Sequence, residues 1–471
     1  MLFCILNPAG FPGDIAEPMI RTIARTVLLA FLSVTLLAPL QGSGDANAAY
    51  KRKSQAGQSA RARYRAARIE RRNRVLALRA KAATEAKAQA AALRATQRPA
   101  KLLTRQEILT SDPVRLARLG SRLVVGFSSF SEVRPLVEKK AIAGIFITDH
   151  NVAGRKAEDV ARDIQDLQNI RRAQGMPRLI VAADQEGGYV SRLSPPLKWQ
   201  PTLGMVIAKL KTDSEREKAV RDYAEVQARE LDRLGVTMNF GPVVDLRLGA
   251  PRNDGETRIF WRAIDSNPYL VAKVAGWYCD TLTKFNIICT LKHFPGLGRV
   301  ARDTHVATGE LKQKLSQLEL SDWLPFRRVM TEPGVATMVG HVRIDSVDRT
   351  TPASFSDTVV NQIIRPRFEN DGLLITDDLS MGAVTGSKDG IGGAAVKAFN
   401  AGIDLILLCA LSTHFDTVMS SLIEADIKGE TALVREDETN ERLKRYVFVD
   451  DRELPPSTPL QAEQIGPSRA R

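Results

Sequence analysis

The sequence predicts an α/β protein, a single (β/α)8 TIM-type barrel carried behind a basic N-terminal extension. Three observations predict it. After Leu102, short apolar runs rich in β-branched residues recur eight times, helix-like stretches separate them, and the alternation lasts for roughly 300 residues. Parallel neighbours need long crossovers, which a helix between each pair of strands provides. Eight such units fit a closed barrel better than an open doubly wound sheet.

In chain order, Met19 opens the first readable pattern. Arg21 and Arg25 form a positive n-region, Val27–Ala38 a short apolar core, and Ala46-Asn47-Ala48 the small residues of a cleavage site. The apolar run is shorter than the roughly 20 residues of a membrane span. Residues 1–48 are therefore expected to be upstream sequence plus a signal peptide starting at Met19. The competing reading is an uncleaved inner-membrane anchor. The expected localisation is periplasmic or extracellular.

Residues 49–101 are rich in Ala, Arg and Lys. The whole chain has a formal net charge of +13, but between Lys51 and Lys101 there are 16 Lys or Arg against Glu70 and Glu85, a net of 16 − 2 = +14. The basicity belongs to this segment and the remainder is nearly neutral, so no nucleic-acid partner is expected. The segment reads either as a soluble linker or helix, or as a tether to an anionic membrane or cell-wall surface.

Residues 102–428 form the expected barrel. Its strands are read at 122–127, 144–148, 179–183, 236–240, 287–291, 336–341, 373–376 and 405–409, with helices at 157–174, 214–234, 268–285, 356–368 and 392–401. Residues 429–471 are polar and charged, and a partly disordered tail is expected there. The cysteines Cys4, Cys279, Cys289 and Cys409 show no C-x-x-C and no metal-ligand spacing, so neither a metal nor a cofactor is expected. Cys289 and Cys409 fall inside apolar runs, where a free thiol packs as a small hydrophobe, and a structural disulfide is not expected.

Four stretches at strand exits carry the chemistry. Asp184-Gln185-Glu186-Gly187-Gly188 places two carboxylates beside two glycines. Carboxylates accept hydrogen bonds from adjacent sugar hydroxyls, and glycines let a ring approach the backbone. Lys292 and His293 follow the fifth apolar run; such a pair is costly in a core and easier to explain in a cleft that faces ligand. Asp303 and His305 stand two apart, a spacing at which a carboxylate can orient an imidazole for general acid work. Asp377-Asp378 closes the seventh run, where one Asp could equally cap the next helix.

The string Lys292-His293-Phe294-Pro295-Gly296-Leu297-Gly298, continued to Asp303-Thr304-His305, resembles the signature of glycoside hydrolase family 3 in its bacterial single-domain β-N-acetylglucosaminidase branch, K-H-F-P-G-H-G-x-x-x-x-D-S-H. Leu297 replaces the middle His and Thr304 the Ser, and the family commonly has Asp and Thr where Arg299 and Val300 stand. The resemblance extends to D-Q-E-G-G-x-x-x-R at Asp184–Arg192, N-x-x-P-V-x-D at Asn239–Asp245 and [ST]-D-D-L-S-M at Thr376–Met381. Two-domain members of that family carry a further C-terminal domain for which the residues after the barrel leave no room.

The resemblance implies a catalytic barrel that performs retaining hydrolysis of terminal β-linked N-acetylglucosamine from glycans such as peptidoglycan fragments. It assigns Asp377 as nucleophile, His305 held by Asp303 as acid and base, and Asp184, Arg192, Arg258, Lys292 and His293 as substrate-binding residues. Arg262 is the alternative to Arg258. Loop closure would bring His305 into reach, with the glycines flanking Leu297 as hinges. The rival readings are a family 3 β-glycosidase of other specificity, β-glucosidase-like, and a catalytically weakened barrel that binds cell-wall glycan.

Overall fold

The computed structural model describes residues 102–248, 258–300, 303–409 and 412–446. The expected signal peptide, the basic segment of residues 49–101 and the end of the tail lie outside the described residues. Twelve strands occur among the described residues. In chain order they are β1 (Leu123–Gly126), β2 (Gly144–Ile147), β3 (Ile180–Ala183), β4 (Gln185–Gly187), β5 (Val190–Ser191), β6 (Met238–Asn239), β7 (Ile288–Phe294), β8 (Gly309–Leu311), β9 (Val335–Val339), β10 (Val342–Ile344), β11 (Leu374–Thr376) and β12 (Ile406–Leu408).

Eight of these form one parallel sheet in the order β11-β9-β7-β6-β3-β2-β1-β12. The register runs Val124↔Gly144, Ile145↔Val181, Met238↔Ile288 and Leu374↔Thr337 around the ring. A bridge between Ile375 and Leu405 joins the two ends of that order, so the sheet closes into the predicted (β/α)8 barrel. All eight expected runs supply a barrel strand, with shorter ends than the apolar runs suggest. The fifth is the exception: β7 continues to Phe294, so Lys292 and His293 lie within the strand rather than after it.

Each strand is buried on both faces, which is why each reads as an unbroken apolar run. Alternation sends Val124, Phe146, Ile180, Met238 and Phe240 into the lumen, where the rings of Phe146 and Phe240 stack at 5.5 Å. Their neighbours Leu123, Val125, Ile145 and Val181 join the layer beneath the helices. At about 1.5–3 kcal/mol for each fully buried aliphatic side chain, these two layers supply most of the driving force, and polar groups at the barrel ends are left to fix geometry.

The helices start and stop where their caps dictate. Asp213–Leu234 begins at Thr212, whose hydroxyl and the Glu215 side chain form a reciprocal capping box, and it ends at Gly235 in the left-handed region, φ 90°. Two expectations need correction. The stretch read as the start of a polar tail contains a helix, Leu433–Tyr446, so the barrel domain runs past residue 428. Its residues Thr439, Arg442, Leu443 and Tyr446 recur at helical spacing, and the face they form is largely polar because it meets the buried Asp404 below the barrel. Cys279 and Cys289 also form a disulfide, with Cα atoms 5.2 Å apart. The chain reverses between the helix Pro268–Thr283 and β7, which brings together two cysteines that look unrelated in sequence.

Candidate active site

The chemistry-bearing side chains gather at the carboxyl ends of the barrel strands. Just beyond β3, and at the end of β7, lies a network of paired charges. The Lys292 ammonium sits 2.5 Å from Asp184 Oδ1 and 2.6 Å from Glu186 Oε1. Arg262 grips Glu186 with two hydrogen bonds of 2.9 and 2.7 Å, the bidentate geometry that a guanidinium fork favours. Burial alone would push Glu186 up, but the charges of Arg262 and Lys292 bring its carboxyl down to about 2. Burial likewise pushes Lys292 down, and Asp184 and Glu186 outweigh it and hold the ammonium above its ordinary value. Glu186 and Lys292 therefore stay ionised at neutral pH.

His293 completes this side. Its Nδ1 lies 2.7 Å from Asp245 Oδ2, and Asp245 Oδ1 accepts the Leu297 N–H at 2.7 Å. Since a guanidinium only donates, the 3.4 Å approach of Arg262 Nη2 to His293 Nε2 makes Nδ1 the protonated nitrogen, donating to Asp245. Asp184 is the most open member, its side chain 24% exposed against 3–4% for Lys292 and Glu186. It is the carboxylate of this network most open to a ligand.

Across the mouth, β11 ends in Asp377. Its N–H donates to Val339 O at 2.9 Å, and its Oδ1 accepts the Asp378 N–H at 2.9 Å. No hydrogen bond to Oδ2 occurs among the described residues. Burial would raise the Asp377 carboxyl, but His293, His341, the Asp378 N–H and His305 outweigh it and hold it below the usual carboxylate range. Asp378 turns inward instead, accepting from the N–H groups of Ser380 and Cys409 at 3.0 and 2.9 Å. It shapes the turn that presents its neighbour. The Cys409 thiol is pushed well up, by burial first and then by Asp378, so it stays protonated beside the site.

The loop after β7 has two halves. Residues 296–300 are pinned, and the expected hinge role of the glycines does not hold. A Cβ on Gly298 would lie 1.8 Å from Leu246 O, Leu297 is buried, and Arg299 pairs with Asp322 at 3.0 Å. Leu297 and Val300, where the family has polar residues, belong to the core. Further on, Asp303 Oδ1 meets both His305 N and His305 Nδ1, at 2.9 and 2.8 Å, while the His305 side chain remains 42% exposed. The carbonyl of His305 accepts the Gly382 N–H at 2.8 Å, so the loop rests on the segment that follows Asp377. Gly382 is required there, since a Cβ would press against His305 O at 2.7 Å.

The structure thus brings Asp184, Lys292 and His293 into one network, pairs Asp303 with His305, and sets Asp377 within electrostatic reach of both His293 and His305. Arg192 and Arg258 stay at the exposed rim: Arg192 donates its N–H to Asp184 O at 3.1 Å, and the Arg258 guanidinium lies 5.6 Å from the Tyr189 ring. The arginine whose side chain reaches inward is Arg262, 9% exposed and paired with Glu186. His341 was not anticipated. It is fully buried, with Nε2 3.0 Å from Asp378 O and Nδ1 2.8 Å from Ser354 Oγ. A carbonyl only accepts, so Nε2 carries the proton and the Ser354 hydroxyl donates to Nδ1. Burial lowers the proton affinity of this ring, in keeping with a neutral imidazole. Its position at the end of an apolar run, level with the other exits, was the available signal.

The model of the glycosyl hydrolase family 3 N-terminal domain matches residues 116–446. A β-hexosaminidase of Idiomarina loihiensis is 31% identical over 287 residues, covering 61% of this chain and 82% of its own. Beta-hexosaminidase LpqI of Mycobacterium tuberculosis is 32% identical over 323 residues, 66% of this chain and 77% of its own. The solved structure of a glycoside hydrolase family 3 β-N-acetylglucosaminidase from Paenibacillus sp. superimposes with a TM-score of 0.63 at 27% identity, over 70% of this chain and 61% of that one.

Proposed function

The chain belongs to glycosyl hydrolase family 3, and from that premise we propose that it is an exported, retaining β-N-acetylglucosaminidase that removes terminal β-linked N-acetylglucosamine from glycans, chiefly cell-wall (peptidoglycan) fragments. The names of its β-hexosaminidase and β-N-acetylglucosaminidase relatives support the substrate class. The observation that carries the mechanism is the docking of the Asp303–His305 loop against the segment behind Asp377.

In the first step the Asp377 carboxylate attacks the anomeric carbon, the glycosidic C–O bond breaks, and His305 gives its Nε2 proton to the departing oxygen. Asp303 holds Nδ1, which turns Nε2 outward. In the second step water attacks the same carbon, His305 takes its proton, and the ester bond to Asp377 breaks. Two inversions return the original configuration. Asp184, Lys292 and His293 receive the hydroxyls of the terminal sugar, with Glu186 and Arg262 holding them in place, while Arg192 and Arg258 reach in from the rim.

A signal peptide starting at Met19 would deliver the enzyme to the periplasm or cell exterior, and the Cys279–Cys289 disulfide suits that oxidising setting. The basic segment of residues 49–101 would then hold it near an anionic membrane or cell-wall surface.

The test is release of 4-nitrophenol from the β-N-acetylglucosaminide and the β-glucoside by the full chain, beside Asp377→Ala and His305→Ala. Activity on the N-acetyl sugar that is abolished in the first variant and reduced in the second supports the reading. Turnover of the glucoside alone would make the protein a β-glucosidase. Glycan binding with no turnover of either would make it a binding barrel.

A further inference from the structure

We propose that Tyr189 and Trp199, with Arg258, form a second saccharide subsite that holds a pyranose ring of the glycan beyond the terminal sugar; the inference rests on the hydrolase reading above. Tyr189 and Trp199 are 63% and 55% exposed, an unfavourable way to leave two large rings unless something covers them. Both are held in place. The Trp199 indole N–H donates to Gly188 O at 3.0 Å, which fixes the polar edge of the ring and leaves the remainder open. Tyr189 follows Gly188 directly, and Gly188 has φ 63° in a turn where a Cβ would lie 2.4 Å from Thr202 Cγ2. The Arg258 guanidinium, 5.6 Å from the Tyr189 ring, adds donors at the edge of the same patch.

A pyranose matches this surface. Its C–H face packs on an aromatic ring while its hydroxyls accept from a neighbouring guanidinium. The patch and the charge network also share one hairpin, with Glu186 in β4 and Tyr189 in the turn that joins it to β5. Three side chains are far too few for a protein partner, whose contact takes about 800 Å² per side.

The experiment compares kcat/KM on a β-1,4-linked N-acetylglucosamine trisaccharide with that on the 4-nitrophenyl monosaccharide, for the unaltered protein, Tyr189→Ala and Trp199→Phe. The ratio of trisaccharide to monosaccharide efficiency is expected to fall about tenfold in Tyr189→Ala, as the loss of one stacked ring implies, and less in Trp199→Phe. Circular dichroism and melting confirm that both variants fold. An unchanged ratio in both overturns the subsite. If the unaltered protein hydrolyses neither substrate, the hydrolase reading fails, and tryptophan emission during titration with the mono- and trisaccharide decides the subsite separately. A response to the trisaccharide that is lost in Trp199→Phe supports it, and no response overturns it.

Discussion

The two ends of the barrel are both held by buried arginines and carboxylates, yet one is closed and the other is open. At the amino ends of the strands, Asp404 is wholly buried and each of its oxygens accepts two bonds. Oδ2 takes Arg365 and the Leu374 N–H at 2.7 and 2.8 Å, and Oδ1 takes Thr439 and Arg442 at 2.7 and 2.8 Å. Arg122 bonds the neighbouring carbonyls, with its guanidinium over the Phe399 ring, and burial pulls it down to about 10. At the carboxyl ends, Glu186 is engaged on both oxygens by Arg262 and Lys292, but Asp184 is partly open, Asp377 keeps one oxygen unbonded among the described residues, and His305 reaches solvent. Buried charge alone does not mark a site. Unfinished coordination at a surface does.

The largest effect that would sharpen this contrast is on Asp377. Asp377→Asn should reduce hydrolysis by about 10⁴-fold or more, as removal of a nucleophile does, without lowering the melting temperature. A marked fall in melting temperature would place Asp377 with the closed cluster. Asp404→Ala is the converse: it removes the buried counter-charge of Arg365 and leaves Arg442 only the exposed Asp371, and it should cost about 3–5 kcal/mol of stability, read by denaturant unfolding, with kcat per folded molecule retained.

A smaller effect is expected at His341, which would position the proposed nucleophile Asp377 through the Asp378 carbonyl. His341→Phe should lower kcat about tenfold with KM little changed, and His341→Gln, which can still donate to that carbonyl, should recover part of the loss. Equal losses in both variants would remove the hydrogen bond from the account. The smallest effect is one of pH. The Glu186 carboxyl is depressed in the folded state from an ordinary 4.5 to about 2, so its contribution to stability is complete above pH 4.5 and disappears as pH falls toward 2. The melting-temperature gap between the unaltered protein and Glu186→Gln should therefore narrow over that interval, and a gap that widens would contradict the pairing with Arg262 and Lys292.

Much of this architecture is legible in the sequence because the barrel strands are buried on both sides and read as unbroken apolar runs. The proposed catalytic residues Asp303, His305 and Asp377 could be picked out because each falls in a dense local motif. What escaped depends on contacts between distant segments. Arg258 and Arg262 are four residues apart, and only the fold shows that Arg262 reaches Glu186. His341 ends an apolar run that gives no hint of its partners. The Cys279–Cys289 link needs the reversal between a helix and β7. The helix Leu433–Tyr446 was hidden because the face it buries is largely polar, matched to Asp404 rather than to a hydrophobic groove.

That last helix also bears on when the protein can finish folding. Asp404 draws on Arg365, Thr439 and Arg442, and the carbonyls beside it draw on Arg122, so its coordination joins the beginning of the barrel to its final described segment. Synthesis delivers Thr439 and Arg442 after every strand of the barrel. Until they emerge, Asp404 lacks both partners of one oxygen and the base of the barrel is uncovered. Nascent chains halted before Leu433 are expected to remain protease-sensitive, and chains that include Tyr446 to become resistant.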